Sequence, residues 1–308
     1  MRRRTLFESD SGSSELLNGN LADAVFYDSN SDSFVTMSPD EITSVIDGYT
    51  PIGVVVIPAS HDVYGDDTCG VMSLAEMNYS SPDTGSSSYK GIYWGVLSST
   101  SLPNLDKVNL VDGTTAYHGY LPSDQFTGTI SLDGVSKYGN TSNNIPSPYN
   151  ADGSRNEAYY TTAYSTANVL SDFDGVGNTT VLTDLATGQS DWKTATTITN
   201  SSGAGYYPAA CCCWRFHTAG TEQGQWYLPA CGEMGYVMNR ISAINTTINK
   251  VLSVYSSVVA VAVYTGGTYY WSSSENDGTY AWSLYAATGN VLNSQKGADR
   301  RVRAFLRV

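Results

Sequence analysis

Residues 269–308 read YYWSSSENDGTYAWSLYAATGNVLNSQKGADRRVRAFLRV, and this stretch indicates the fold class more clearly than any other. From Trp282 onward, apolar residues at 282, 284 and 286 alternate with the residues at 283, 285 and 287, which is the period of a β-strand with one buried face. The sequence TGN at 288–290 supplies a glycine turn. The last residues alternate in the same way, with Val, Ala and Leu at 302, 304 and 306. We therefore predict antiparallel hairpins, with Trp271 and Trp282 pointing inward.

Further strands are predicted in the first half of the chain. AVFYDSNSDSFVTM (24–37) has the form of a small hairpin around a polar turn. PIGVVVIPAS (51–60) is a β-branched run typical of a buried strand, and CGVMSLAEMNY (69–79) is predicted as its hairpin partner. Residues 80–155 are rich in Ser, Gly, Asn and Pro and show little periodicity, which favours a long insertion.

Helices are predicted in four places. Ser38, followed three residues later by Glu41, matches a helix start in SPDEITSVI. Residues 156–173 carry apolar residues at roughly helical spacing, and Pro208 takes the first position of a short helix over 207–217. The clearest helix follows WYLPACGE, and its apolar stripe consists of Met234, Val237, Met238, Ile241, Ile244, Ile248 and Leu252. With the strands, these helices predict an α+β fold.

Composition limits the classes of function. The chain has 308 residues, of which 41% are hydrophobic and only 15% charged, so it can bury a core. Its net charge of −13 argues against nucleic-acid binding, because phosphate recognition needs a basic surface. No stretch is apolar enough for membrane insertion, and MRRRTLFESDSGSS lacks the apolar core of a signal peptide. We expect a protein of the virion, or one that lysis releases outside the cell.

The sequence shows none of the familiar catalytic motifs, and we expect no enzymatic activity. Five cysteines, three of them adjacent at 211–213, make a poor disulfide framework and are interpreted as buried thiols. A zinc site formed by Cys211, Cys231 and His217 is the alternative. No cofactor is expected, although calcium at YGDDT (64–68) stays open.

The order of the motifs PIGVVV, WYLPACGE before a helix, YYWSSSE, YAWSLY, TGNV and RVRAF resembles C-type-lectin-fold domains of the formylglycine-generating-enzyme type. More narrowly, it resembles the variable proteins of diversity-generating retroelements, which are common in gut phages and bacteria. The match is strongest over 205–308. The resemblance implies a lectin-fold domain over 49–308, with the insertion at about 80–155 and a variable region at about 271–305. Residues 1–48 would form an arm with a small hairpin, used for attachment or oligomerisation.

In that family, adenine-specific mutagenesis diversifies the C-terminal segment while the scaffold stays fixed. The resemblance implies scaffold positions at Trp226, Leu228, Pro229, Trp271, Trp282, Gly289, Arg301 and Arg303. It implies variable, ligand-binding positions at Asn276, Asp277, Gly278, Thr279, Tyr280, Ser283, Tyr285, Ala287, Thr288, Leu292, Asn293, Ser294, Gly297, Ala298, Asp299 and Arg300. These side chains should all point outward from one surface of a rigid sheet, with Tyr280 and Tyr285 as the principal contacts.

The expected function is therefore recognition by a hypervariable protein, either a phage receptor-binding protein or a virion-decorating adhesin. The expected partner is a protein or glycan ligand on a cell surface, and assembly into a trimer or attachment to a virion stays open. A bacterial surface adhesin of the same fold is one alternative. An enzyme of the formylglycine-generating type, using Cys213 and Cys231 as a reactive pair, is the other.

Overall fold

The computed structural model describes residues 17, 19–61, 64, 68–95, 131–132, 135–136, 172–199, 206–275, 279–287 and 289–308. These residues form an α+β fold with antiparallel sheets, which confirms the predicted class. The strands are β1 (Ala24–Asp28), β2 (Ser33–Met37), β3 (Tyr49–Ile57), β4 (Gly70–Ser73), β5 (Ser131–Leu132), β6 (Val135–Ser136), β7 (Tyr269–Glu275), β8 (Tyr280–Tyr285), β9 (Asn290–Gln295) and β10 (Phe305–Arg307). The helices are α1 (Gly175–Asp184), α2 (Pro208–Arg215) and α3 (Cys231–Val254), with a short 3-10 helix at Ala59–His61.

The larger sheet has five strands in the order β10-β4-β3-β1-β2. The hairpin predicted over 24–37 is confirmed as β1 and β2, and β3 pairs antiparallel with β4 as predicted. However, β1 also pairs with β3, from Ala24 opposite Val54 to Asp28 opposite Tyr49. The predicted boundary after residue 48 therefore cuts through one sheet, because β1 and β2 complete the sheet that β3 begins.

Two apolar cores lie on opposite faces of β3, since its side chains alternate and both faces are covered. The helix-side core includes Val54 and Val56 of β3 and the stripe of α3, which is buried as predicted. The cysteine-side core includes Val55 of β3 and the side chains of α2. Strand β10 contributes to both cores, with Phe305 in the first and Leu306 in the second.

Helix α3 begins beside β7, where side chains from distant segments satisfy its first backbone groups. The Ser274 hydroxyl accepts from the backbone N–H of Cys231 at 3.0 Å, and the Asp172 carbonyl accepts from that of Gly232 at 2.9 Å. Glu233 reaches back to accept from the backbone N–H of Ala230 at 2.6 Å. These contacts fix the end of α3 against the strand from which the C-terminal sheet begins.

Two expectations about local structure fail. The Ser38 N–H donates to Glu41 Oε2 at 2.7 Å, as at a helix start, but the Ser38 hydroxyl donates to the same oxygen, and turns follow instead of a helix. The insertion does not begin at residue 80, because Ile92 and Trp94 are fully buried in the cysteine-side core. The helix predicted over 156–173 lies outside the described residues except for its last two positions, which are not helical.

Candidate functional site

The smaller sheet contains three strands in the order β7-β8-β9 and carries most of the predicted variable region. Paired residues share a face, so Tyr269, Tyr285 and Leu292 lie on one face of this sheet. Trp282, Leu284 and Ala286 lie on the opposite face and pack into the helix-side core, as the alternation predicted. The sheet therefore has one face held by α3 and another that is partly open.

The open part consists of Tyr269, Tyr285, Leu292 and Arg300, and we call it the tyrosine face. The rings of Tyr269 and Tyr285 have their centroids 4.8 Å apart. The guanidinium of Arg300 lies 4.6 Å from the centroid of Tyr269, and its Nε donates to Ser294 Oγ at 3.5 Å. Leu292 is 41% exposed, and both tyrosines are half-buried. Two aromatic rings, one cation and one apolar side chain are thus presented together on paired strands.

The remainder of this face is closed by the segment around Trp94. The indole of Trp271 donates to the carbonyl of Ile92 at 2.8 Å, and the indole of Trp94 donates to the carbonyl of Ser272 at 2.8 Å. Lys296 forms an ion pair with Glu275, and both side chains are fully buried. The Lys296 ammonium also lies 4.8 Å from the centroid of the Trp94 ring. The strands beneath the tyrosine face are therefore fixed by buried contacts on both sides.

Two of the predicted variable positions are not at the surface. Ser283 is fully buried and Ser294 is 6% exposed, and their hydroxyl oxygens lie 2.8 Å apart. Both serines face the same side as Tyr285, and the Nε of Arg300 donates to the Ser294 hydroxyl. Ser283 was predicted to point outward because it alternates with Trp282, but the sheet is covered on both faces at this level.

The remaining described positions do not share one surface either. Tyr280 and Asn293 are exposed, but they lie on the face that carries Trp282, opposite to Tyr285 and Leu292. The prediction of a single surface is wrong for a simple reason: 292, 293 and 294 are consecutive in a strand, and successive side chains point to opposite faces.

Outside β8 and β9, Ala287 and Asp299 are exposed, whereas Thr279, Gly297 and Ala298 are half-buried. Asn276, Asp277, Gly278 and Thr288 lie outside the described residues.

The predicted scaffold residues are mostly internal. Trp226, Leu228, Pro229, Trp271 and Trp282 are buried, and Gly289 has a φ of 75°, a left-handed conformation that suits glycine in the β8–β9 turn.

The two scaffold arginines have different environments. Arg301 binds both carboxylate oxygens of Glu76, at 2.6 and 2.7 Å. Arg303 is fully buried, and it donates to the carbonyls of Ser73, Leu74 and Val261.

Sequence reasoning missed three tyrosines near this surface. Tyr269 belongs to the tyrosine face, and its place two residues before Trp271 was the available signal. Tyr89 and Tyr264 are 44% and 49% exposed, and they hold the guanidinium of Arg301 between their rings, at 4.2 and 4.6 Å from the centroids. Nothing in the local sequence pairs these two residues with Arg301, because they come from distant segments.

The cysteines are free and buried. Burial raises the pKa of Cys213 and Cys231 well above the ordinary value, which keeps both as neutral thiols that are poor nucleophiles. No group of three or more His, Cys, Asp or Glu side chains suited to a metal ion occurs among the described residues. In the alternative zinc set, His217 is exposed whereas Cys211 and Cys231 are buried in different cores. Asp66 and Asp67 of the YGDDT segment lie outside the described residues.

Two buried carboxyl groups lie near the start of α3. Burial raises the pKa of Asp172 to about 6, although Ser274 donates to its carboxylate at 2.5 Å. Burial also raises the pKa of Glu233 to about 7, against the opposing influence of Arg307. Glu233 accepts from the hydroxyls of Tyr64 and Tyr227, at 3.0 and 2.9 Å. Both groups are enclosed by protein, so we assign them to the support of α3.

A cavity of about 460 Å³ lies beside the start of β3, away from the smaller sheet. Tyr49, Pro51, Phe216 and Tyr255 supply much of its apolar lining, and His217 lies at its edge. None of the predicted variable positions lines it.

The chain shows little similarity to known proteins. No family model matches the chain, and no curated protein matches it. Among solved structures, the chain is similar to a fimbrial protein from Bacteroides ovatus ATCC 8483, at 16% identity and a TM-score of 0.45. The alignment covers 94% of this chain and 49% of the other, so this chain spans about half the length of that protein. Within the described residues, no helix is both long and apolar enough to cross a membrane.

Proposed function

We propose that this chain is a ligand-binding protein of the adhesin type, which recognises a protein or glycan on a cell surface through the tyrosine face. The observation that carries the proposal is the position of half-buried Tyr285 and exposed Leu292 on strands whose other face packs Trp282 and Leu284 into the helix-side core. Tyrosine and arginine are enriched in binding hot spots, because they give a large contact area and several hydrogen bonds for little conformational entropy.

The support beneath this surface favours recognition. Because Trp271, Lys296 and Glu275 are all fully buried, the strands keep their shape without help from the exposed residues. A surface of this kind can change its side chains without unfolding the protein. Contact energy from one such patch is partly offset by desolvation and ordering, so display in many copies on one particle would raise the effective affinity.

The finer proposal is that the chain is a variable protein of a diversity-generating retroelement, with a C-type lectin fold and a place on a phage virion. It rests on the motif order in the C-terminal third. Burial restricts which positions can vary freely: Tyr280, Leu292 and Asn293 are exposed, whereas Ser283 and Ser294 are buried.

The binding proposal is tested with labelled protein on a panel of bacterial cells and immobilised glycans, read by flow cytometry and surface plasmon resonance. The double variant Tyr285→Ser, Leu292→Ser should lose binding while keeping its unfolding midpoint. The matched control is Val45→Ser, which removes an apolar side chain that is 62% exposed outside the smaller sheet. Equal loss in the control, or full binding by the double variant, would contradict the proposal.

The retroelement proposal is tested by sequencing the gene's surroundings and clonal reads of the gene. We expect a reverse transcriptase gene nearby and an adenine-rich near-copy of the codons for 271–305. Differences between reads should concentrate at Tyr285, Leu292 and the other exposed positions. Reads without such differences, and a locus without a reverse transcriptase, would leave a binder with a fixed sequence.

A further inference from the structure

Strand β9 is an edge strand whose outward main-chain groups are open to solvent at Asn293, whereas Val291 is only 2% exposed. Within the described residues it pairs only with β8. The Lys296 N–H donates to the Thr279 carbonyl at 2.9 Å, and this bond identifies which residues of β9 are hydrogen-bonded to β8. Because an antiparallel ladder alternates, the backbone groups of Asn290, Leu292 and Ser294 point toward β8 and those of Val291 and Asn293 point away. No hydrogen bond to the outward groups of Val291 and Asn293 occurs among the residues that the structure describes.

This edge lacks the usual protection against pairing. Its sequence, NVLNSQ, has no charged residue and no proline, and its six pairs with β8 run without a bulge. Leu292 is 41% exposed, and Asn293 and Gln295 are also exposed, so the edge is open to solvent. Natural proteins generally blunt exposed edges with charge, proline or bulges, since an open edge recruits another strand. The absence of charge, proline and bulges from β9 is the pattern expected of an edge that receives a partner strand.

The side chains beside the edge indicate what kind of strand fits. On the tyrosine face, an added strand would place one side chain next to Leu292 and another, two residues along, next to Ser294 and the Arg300 guanidinium. The only carboxylate on that face of the sheet within the described residues is Glu275, which is buried and paired with Lys296. Among the described residues Arg300 forms no ion pair, so an acidic side chain beside the edge would complement its positive charge.

A second copy of the chain fits less well. On the tyrosine face β9 itself offers Leu292 and Ser294, so a β9–β9 pairing would bring no carboxylate to Arg300. Two copies would also each carry a net charge of −13. Charge complementarity thus favours a different chain over self-association.

We propose that β9 binds an extended segment of a partner protein by strand addition, with an apolar residue beside Leu292 and an acidic residue two positions away beside Arg300. This inference rests on the proposed function, because it specifies how the same sheet binds a protein ligand. Main-chain hydrogen bonds to the exposed Asn293 would supply affinity, and the two side-chain positions would supply selectivity.

The test uses a library of random dodecapeptides displayed on phage, selected on the full-length protein. Enriched peptides should carry an apolar and an acidic residue at positions i and i+2. Asn293→Pro removes one outward N–H and leaves the ladder to β8 intact, so it should weaken a labelled selected peptide at least about tenfold. Asn293→Ala, the matched control, keeps that N–H and should bind within about twofold. Arg300→Gln should remove the preference for the acidic residue.

Amide hydrogen exchange gives a measurement that needs no variant. The amide of Asn293 should exchange rapidly in the free protein and become protected when the peptide binds. The inference is overturned if no peptide is enriched, if the acidic residue is not selected, if Asn293→Pro binds normally, or if this amide stays unprotected. It is also overturned if the protein alone forms a dimer that Asn293→Pro dissociates. If Asn293→Pro keeps full cell binding while Tyr285→Ser loses it, this inference fails and the proposed function stands.

Discussion

The buried pair of Lys296 and Glu275 gives the sharpest test of the idea that the scaffold carries the stability. Both side chains are fully buried, and Lys296 also contacts the ring of Trp94. Lys296→Met keeps most of the volume but leaves the carboxylate of Glu275 without its cation. Breaking a buried pair costs about 3–5 kcal/mol, and losing the ring contact adds about 1 kcal/mol. We expect a loss of about 5 kcal/mol, or about 10 °C in the thermal midpoint.

The assay is urea unfolding followed by tryptophan fluorescence and circular dichroism, with the double variant Lys296→Met, Glu275→Leu as the second arm. Replacing both charges removes the uncompensated carboxylate, so the double variant should be within about 2 kcal/mol of the parent. The reasoning is refuted if Lys296→Met costs less than about 1 kcal/mol, or if the double variant is no more stable than the single one. Either result would mean that the pair does not support the sheet.

Three further predictions concern the core, the surface and the buried acids. Trp271→Ala should cost about 3–5 kcal/mol in urea unfolding, because it truncates a fully buried side chain, and a cost near zero would contradict the assigned burial. Ser283→Leu should cost about 1–3 kcal/mol through overpacking, whereas Leu292→Ser should stay within about 0.5 kcal/mol; equal costs would remove the distinction between buried and exposed positions. Burial raises the pKa of Asp172 to about 6 and that of Glu233 to about 7, so the folded state binds these protons more tightly than the unfolded state. The contribution of these two groups to the free energy of unfolding should therefore be greatest below about pH 4 and should fall as pH rises to about 7, by about 3 kcal/mol for Asp172. Urea unfolding of Asp172→Asn should show a flatter dependence on pH over that range.

Periodicity predicted the elements that are local in sequence. The hairpin over 24–37, the pairing of the 51–60 strand and the stripe of α3 all depend on spacing within one segment, and the structure contains them. Ser38 and Glu41 show the limit of such signals: the capping contact forms, but the following residues enter turns on the way to β3. The identities of Ser38 and Glu41 therefore predicted their contact, but they did not determine whether a helix follows it.

The candidate site depends on contacts that the sequence could not show. Ser283 alternates correctly with Trp282, yet it is fully buried, and its hydroxyl lies 2.8 Å from that of Ser294, to which Arg300 donates. Tyr89 and Tyr264 reach the same region from positions far from the C-terminal strands. Alternation tells which side chains share a face, whereas the covering of that face is decided by tertiary packing.

The two indoles at 94 and 271 each donate to a carbonyl beside the other, joining segments that are about 180 residues apart in sequence. Because of these two hydrogen bonds, the C-terminal strands alone would not carry the full support of the tyrosine face. A fragment beginning after residue 95 would retain every exposed side chain of the tyrosine face but lack the acceptor at Ile92 and the ring that covers Lys296. Engineers who wish to borrow this sheet as a display platform would have to carry the first hundred residues with it.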